Sequence, residues 1–137
     1  MIPKIWGKSG WDFFHLIILA YPENPSESDK IRYYNYLYWF QFILPCNKCQ
    51  FNLQNHLKLL PITNEVLASR NNFIKWSIDL HNMVNLSIGK PTLSYDEAIN
   101  NINKLVNRKE PSCNYYIYLI IIVIIIFVVL FIFFKKN

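Results

Sequence analysis

Leu44-Pro45-Cys46-Asn47-Lys48-Cys49-Gln50 holds two of the chain's three cysteines, spaced C-x-x-C directly after a proline. Pro45 cannot continue a helix that precedes it, but it suits the junction before a new one or that helix's first turn. The mixed apolar and polar run from Phe51 to Leu60 reads as helix. Cys46 therefore falls at or near a helix N-terminus, where unpaired backbone N–H groups and the helix dipole favour a thiolate. One helical turn brings two such sulfurs within bonding range, so the pair can cycle between dithiol and disulfide. The same spacing makes half of a zinc site, and the stretch alone leaves both readings open.

Helical spacing continues on both sides. Upstream, Ile31, Tyr34, Leu37, Tyr38 and Phe42 recur at three- and four-residue steps between Lys30 and about Ile43, which predicts a helix with one aromatic and apolar face. Ser26-Glu27-Ser28-Asp29 before it resembles a capping box with Asp in place of Glu. Trp11 to Tyr21 is apolar on nearly every face, as in a buried helix, and Pro22 and Pro25 stop it; Met1 to Gly10 reads as a polar, glycine-marked entry segment. Downstream, a helix from about Cys46 to Leu60 has Phe51, Leu53, Leu57 and Leu60 as its inward residues. Pro61 to Arg70 is a connection with a short helical turn. Asn71 to Ile88 then carries Phe73, Trp76, Leu80, Val84 and Ile88 on one stripe, with Gly89 as a left-handed cap. A second capping box, Ser94 to Glu97, starts a helix that Ala98, Ile99, Ile102, Leu105 and Val106 carry to about Arg108. With almost no alternating pattern, the fold class is all-α, a compact bundle of five helices.

The tail is of another kind. Tyr115 to Phe134 has no charge, is dominated by Ile, Val, Phe and Leu, and is followed by Lys135 and Lys136. At ~1.5 Å per helical residue such a run crosses a hydrocarbon layer of about 30 Å, and Tyr115, Tyr116 and Tyr118 suit the interface. The expected organisation is a domain over residues 1–109 and a transmembrane helix over residues 115–134. Net charge is +5, or +3 without Lys135 and Lys136. The basic side chains are scattered, so a nucleic-acid partner is not expected. Phe13 to Ala20 is apolar but contains His15 and runs into Tyr21-Pro22 with no small-residue cleavage site, unlike a secretory signal. The expectation is a single-pass C-terminal anchor with the domain facing the cytosol. Lys104, Arg108 and Lys109 on one flank and Lys135 and Lys136 on the other leave the positive-inside count undecided.

Three clusters can carry chemistry: Trp11-x-x-x-His15, Cys46-x-x-Cys49, and His81-Asn82-Met83-Val84-Asn85 followed by Gly89-Lys90-Pro91. On helices, Trp11 and His15 share a face, as do His81 and Asn85. Two such faces suit the bracketing of a flat polar cofactor, the indole stacking and the histidines and asparagines hydrogen-bonding its edge. Lys90, past a helix end, can reach a phosphate. Taken singly, a tryptophan is more often core and a histidine more often structural. His56 reads as a solvated histidine on the polar side of its helix.

Taken together, Trp6-Gly7-x-x-x-Trp11-x-x-x-His15, Tyr21-Pro22, Pro45-Cys46-x-x-Cys49, Trp76, His81-Asn82-x-Val84-Asn85 and Gly89-Lys90-Pro91 resemble the Erv/ALR family of FAD-linked sulfhydryl oxidases, most of all its short viral members. The resemblance implies a four-helix bundle plus a short fifth helix that holds FAD non-covalently. That would account for the missing G-x-G-x-x-G in a chain whose only glycines are Gly7, Gly10 and Gly89. By motif match, Gly7, Lys8, Trp11, His15, Tyr21, His81, Asn82, Val84, Asn85 and Lys90 would bind the cofactor. Cys46 would be the interchange sulfur facing a protein dithiol substrate, and Cys49 would face the flavin as the other half of a redox-active disulfide. Molecular oxygen would take the electrons and leave hydrogen peroxide. A homodimer formed through the first helices is carried over in the same way.

The chain also departs from the family. Ile78 and Tyr95 stand where many cellular members have a structural disulfide, and Ile102 stands near the place of a tryptophan that packs by the adenine. Both departures predict a looser grip on the adenine end. Cys113, just before the span, has no evident partner; shuttling electrons to Cys46, joining two chains and acylation are the functional readings beside an idle thiol. The cytosol keeps thiols reduced, so a disulfide-forming enzyme there suits a virus, with the anchor in a host endomembrane or a virion membrane. The rivals are a membrane-tethered zinc-binding adaptor using Cys46, Cys49 and two histidines, a membrane-tethered helical interaction module that has lost activity, and a thioredoxin-like reductase or isomerase. No second C-x-x-C or H-x-x-x-H completes a zinc site, no metal ligand is predicted, and the strands of a thioredoxin are missing.

Overall fold

Pro3 opens the first helix, at a position where its missing N–H costs nothing and its fixed φ already suits the turn. The structure, a computed structural model, describes residues 1–108 and 113–136, the side chains of 113, 114 and 136 excepted. Helix α1 (Pro3–Leu19) takes in all but the first two residues of Met1 to Gly10, the segment that reads in the sequence as a polar, glycine-marked entry. Gly10 does not break it, because the Trp6 indole fills the space where a Cβ would meet ring carbons at 3.1 and 3.2 Å. Ala20 ends the helix, and Tyr21-Pro22 turns the chain.

Helix α2 (Glu27–Ile43) starts at the expected capping box: Ser26 Oγ accepts the Asp29 N–H, and Asp29 Oδ2 accepts the Ser26 N–H. Its inward face differs from the stripe read in the sequence. Leu37 is buried and Tyr33, Tyr36 and Phe40 pack on the core, while Ile31, Tyr34, Tyr38 and Phe42 are exposed. The rings decide this. Phe40 meets Phe14 of α1 at 5.6 Å, and Tyr33 meets Tyr21 edge to face at 4.7 Å, contacts that the outer stripe lacks.

Helix α3 (Asn47–Leu59) follows Pro45, with Cys46 as its N-cap. Leu53 is buried and Leu57 and Leu60 pack on the core. Phe51, expected inside, is 65 % exposed, because it points away from the face shared by Cys49 and Leu53. A 3-10 turn (Val66–Ala68) leads to α4 (Arg70–Ser87), capped by Ser69. Helix α4 is the central post: it packs on α1, on α3 and on the 3-10 turn. It buries Phe73, Trp76, Ser77, Ile78, Leu80 and Asn85, while Val84 is half-buried and Ile88 is exposed beyond the helix end. Gly89 has φ of 71°, the left-handed region that a side chain would strain.

Helix α5 (Tyr95–Val106) begins at the second capping box and buries Ala98 and Ile102 where it rests on α1 and α4. It is tied to α4 by Tyr95 Oη donating to Asp79 Oδ1 at 2.6 Å, beside the Ile78 position. The described residues hold no strand, so the all-α bundle with a short fifth helix stands. Met1–Val106 forms one compact unit and Asn107–Asn137 a second. In the second, α6 (Cys113–Lys136) contains Tyr115–Lys135, 21 residues long and apolar enough to cross a membrane by length and composition. The side chain of Cys113, and so the roles considered for it, lies outside the described residues.

Candidate active site

The C-x-x-C pair is closed. Cys46 and Cys49 form a disulfide with Cα atoms 5.1 Å apart at the start of α3. Cys46 Sγ also accepts the Cys49 N–H at 3.2 Å, so one sulfur both caps the helix and belongs to the bond. The cap follows from the local sequence. Leu44 is buried and anchors the entry, Pro45 ends the preceding geometry, and the Cys46 backbone is extended at φ −157° and ψ 111°. Gln50 Nε2 donates to Leu44 O at 2.7 Å and holds the entry against the first turn. Cys49 packs on the hydrophobic core, whereas Asn47 and Lys48 are exposed. Cys49 thus faces the bundle, while Cys46, also half-buried, is not among the residues packed on the core.

The second cluster joins α1 to α4. The Trp11 indole stacks on His81 with centroids 3.9 Å apart and planes 6° from parallel, and His15 Nε2 lies 3.0 Å from His81 Nδ1. His15 Nδ1 is 3.3 Å from Ser77 Oγ, which donates to Ile74 O at 2.7 Å. Both imidazoles are held neutral. Burial pushes the His15 pKa down to about 4, with the Asp12 carboxylate acting the other way. Burial also lowers His81 to about 4, helped by His15 and by the positive charge of Lys90 and opposed by Asp12.

One helical turn beyond His81, Asn85 is only 9 % exposed, and its carboxamide makes no hydrogen bond to the described residues. The amide atoms are not sealed from solvent, so its donor and its acceptor are both open to a ligand. Its backbone carbonyl accepts the Lys90 N–H at 2.8 Å, which holds that lysine to the end of α4. Asn82 is used differently from the expectation of direct binding. Its Nδ2 donates to Leu93 O at 2.9 Å and its Oδ1 accepts the Leu93 N–H at 3.0 Å, clamping the segment after Gly89.

The other expected site residues divide. Gly7 has open space where a Cβ would stand, and Lys8 is an exposed side chain paired with Asp12 at 2.6 Å. Val84 is half-buried near the end of α4. Tyr21 is set apart from the cluster: it is fully buried, donates to Leu67 O at 2.8 Å and packs on Phe73, so it holds the core together. Trp11 and His81 touch directly, so they do not bracket a flat ring between them and instead offer a joint outer surface. His56 is a correction too, since its Nε2 is buried without a partner among the described residues. One contributor went unread: Ser77, whose only signal was its place one turn before His81. Trp6, read only as the head of the first motif, has its Nε1 buried without a partner among the described residues.

Known proteins supply an independent comparison. The Erv1 / Alr family model matches residues 8–107. "Probable FAD-linked sulfhydryl oxidase R368" of Acanthamoeba polyphaga mimivirus is 48 % identical over 117 residues, covering 85 % of this chain and 82 % of that one. "Mitochondrial FAD-linked sulfhydryl oxidase ERV1" of Saccharomyces cerevisiae is 28 % identical over 85 residues, covering 62 % of this chain and 43 % of that one. The crystal structure of the FAD binding domain of Erv1 from Saccharomyces cerevisiae matches with a TM-score of 0.65 at 25 % identity, over 73 % of this chain and 92 % of that one. The matched span takes in the disulfide at the head of α3, the α1–α4 histidine cluster and the α5 support alike, and the chain belongs to the Erv1 / Alr family.

Proposed function

We propose that the protein is an FAD-linked sulfhydryl oxidase that makes disulfides in protein dithiols. The single observation that carries this reading is the closed Cys46–Cys49 pair capping α3. With both sulfurs in a disulfide, neither is a thiolate ligand for zinc, so the adaptor reading has nothing to favour it. The Cys46 thiolate gains the Cys49 N–H and the helix dipole, which stabilises the reduced pair and makes the disulfide oxidising.

The residues around the histidine cluster fit a flavin dinucleotide. Asn85 offers a carboxamide with no partner among the described residues, Trp11 and His81 offer an aromatic surface, and Lys90 offers a cation for phosphate. Gly7 and Lys8 at the head of α1 and Val84 beside Asn85 complete the proposed binding set, with Asn82 acting through the segment it clamps. When bound, FAD supplies a two-electron acceptor that molecular oxygen reoxidises with release of hydrogen peroxide. A substrate thiolate attacks Cys46 Sγ, the Cys46–Cys49 bond breaks, and Cys49 leaves as a thiolate on the core side. The second substrate thiolate attacks its own sulfur in the mixed disulfide, which frees Cys46 and the oxidised substrate. Cys49 is then the inner thiolate from which the pair's two electrons depart.

Two finer statements belong to the same proposal. The 21 residues Tyr115–Lys135 anchor the enzyme in a membrane, with the Met1–Val106 unit on the cytosolic side. A viral setting is supported by the mimivirus relative. Two chains pair through the first helices, since Phe13 of α1 and Tyr38, Trp39 and Phe42 of α2 are exposed aromatics. An absorption spectrum of the purified chain tests the central claim: flavin bands near roughly 450 nm are expected, and a colourless, folded preparation with no oxidase activity after FAD is added would refute it.

A further inference from the structure

Two short contacts fix the protons in the chain Ser77–His15–His81. Ser77 Oγ stands 2.7 Å from Ile74 O, a carbonyl that has no proton to give. The hydroxyl hydrogen must lie in that contact, because two bare oxygens repel at such a distance. Oγ therefore turns only lone pairs toward His15 Nδ1, 3.3 Å away, and Nδ1 is the N–H. His15 is neutral, so its Nε2 is bare and accepts, and the hydrogen between the rings comes from His81 Nδ1 at 3.0 Å. His81 is neutral as well, which leaves its Nε2 as a lone pair with no partner among the described residues and not sealed from solvent.

We infer that Ser77 is a positioning residue: through His15 it holds His81 in the Nδ1–H tautomer, so that Nε2 meets the cofactor as an acceptor for an N–H or O–H. This rests on the assignment of the cluster to the FAD site. A lone pair repels phosphate, so the anionic part of the dinucleotide falls to Lys90, and His81 reads a ring N–H, an amine or a hydroxyl. Ser77 has 0 % exposure, so water cannot take the place of its hydroxyl. With alanine there, His15 loses the acceptor that fixed its tautomer, and both rings are free to reverse the relay. His81 Nε2 would then carry a proton and turn a donor toward a group that is itself a donor.

Two-bond ¹H–¹⁵N spectra of the full chain in detergent, labelled at histidine, read the tautomers directly, and the chain has only three histidines. In the native chain His81 is expected as the Nδ1–H form. Ser77→Ala should move it toward Nε2–H and weaken FAD retention roughly three- to tenfold, the scale of one hydrogen bond; Ser77→Thr, which restores a hydroxyl, should keep both. An Nε2–H form of His81 in the native chain, or a Ser77→Ala spectrum identical to the native one, overturns the inference. His81→Ala separates the two claims: full FAD retention in that variant sinks the site assignment, whatever the tautomers show.

Discussion

His81 of α4 lies flat on Trp11 of α1, with ring centroids 3.9 Å apart and planes 6° from parallel. This contact joins the two helices at the place where the cofactor is proposed to sit, so it serves packing and binding at once. Trp11→Ala removes a large, part-buried ring and is expected to cost about 2–3 kcal/mol of stability. Denaturant titration with and without added FAD checks it. The variant should also lose most of the stabilisation that the cofactor gives the native chain.

Acid should loosen the fold earlier than carboxylates alone would allow. His15 and His81 fall from an ordinary 6.5 to about 4 in the folded chain, so between those values the unfolded state binds more protons. Stability is therefore full above about pH 6.5 and declines as pH falls toward 4, by on the order of 2–4 kcal/mol for the coupled pair. Denaturation midpoints at intervals from pH 7.5 to pH 4.5 should show the slope. Replacing both histidines by glutamine should flatten it.

The two cysteines should separate by phenotype. Cys49→Ser is expected to keep bound flavin and to lower turnover by roughly three orders of magnitude or more. Cys46→Ser should be equally inactive toward protein dithiols, yet its serine can still cap α3, so its melting temperature should stay close to that of Cys49→Ser. Oxygen consumption with a dithiol substrate, measured beside the flavin spectrum, distinguishes the two effects. Native turnover in Cys49→Ser would defeat the proposed electron route.

Signals that act within one turn were legible in the chain. Ser26 with Asp29, Ser94 with Glu97, and Gly89 as a left-handed cap are each settled by residues three apart or by a single φ. The inner face of α2 was not, because tyrosines, tryptophan and phenylalanines surround the helix and several spacings fit equally well. Meshing of Phe40 with Phe14 and of Tyr33 with Tyr21 selects one of them, and that choice depends on another helix. Tyr21 shows a related limit: a motif gives order along the chain, but its burial against Leu67 and Phe73 is a three-dimensional fact. The His15–His81 contact was unreadable as a contact, although each histidine was legible as a candidate. Ser77 had only a positional signal, one turn before His81, and its role shows once it is placed beside His15.

The segment after α4 offers a test of indirect binding. Asn82→Ala removes both hydrogen bonds to the Leu93 backbone and is expected to cost about 1–3 kcal/mol. Gly89→Ala strains a residue at φ 71° and should cost about 1 kcal/mol. Both changes disturb the tether of Lys90, so FAD dissociation constants should rise with each. If Asn82→Ala destabilises the chain but leaves FAD affinity untouched, the clamp serves the fold alone.

Pairing of two chains is testable at one ring. Trp39 is 62 % exposed on α2, and Trp39→Glu places a charge in the aromatic face proposed to meet its copy. Light scattering on the detergent-solubilised chain should shift from dimer to monomer while helical content stays the same. A native chain that already runs as a monomer at micromolar concentration would remove the dimer from the proposal.

The strut from Tyr95 to Asp79, together with the Asn82 clamp, keeps α5 in place using oxygen and nitrogen only. A glutathione buffer strong enough to open Cys46–Cys49 has nothing to cut there, so it meets the working bond without slackening the frame around it. Redox titration of this domain should accordingly register one thiol–disulfide event beside that of the bound flavin, with the thermal melting curve nearly indifferent to which side of the disulfide midpoint the solution is poised.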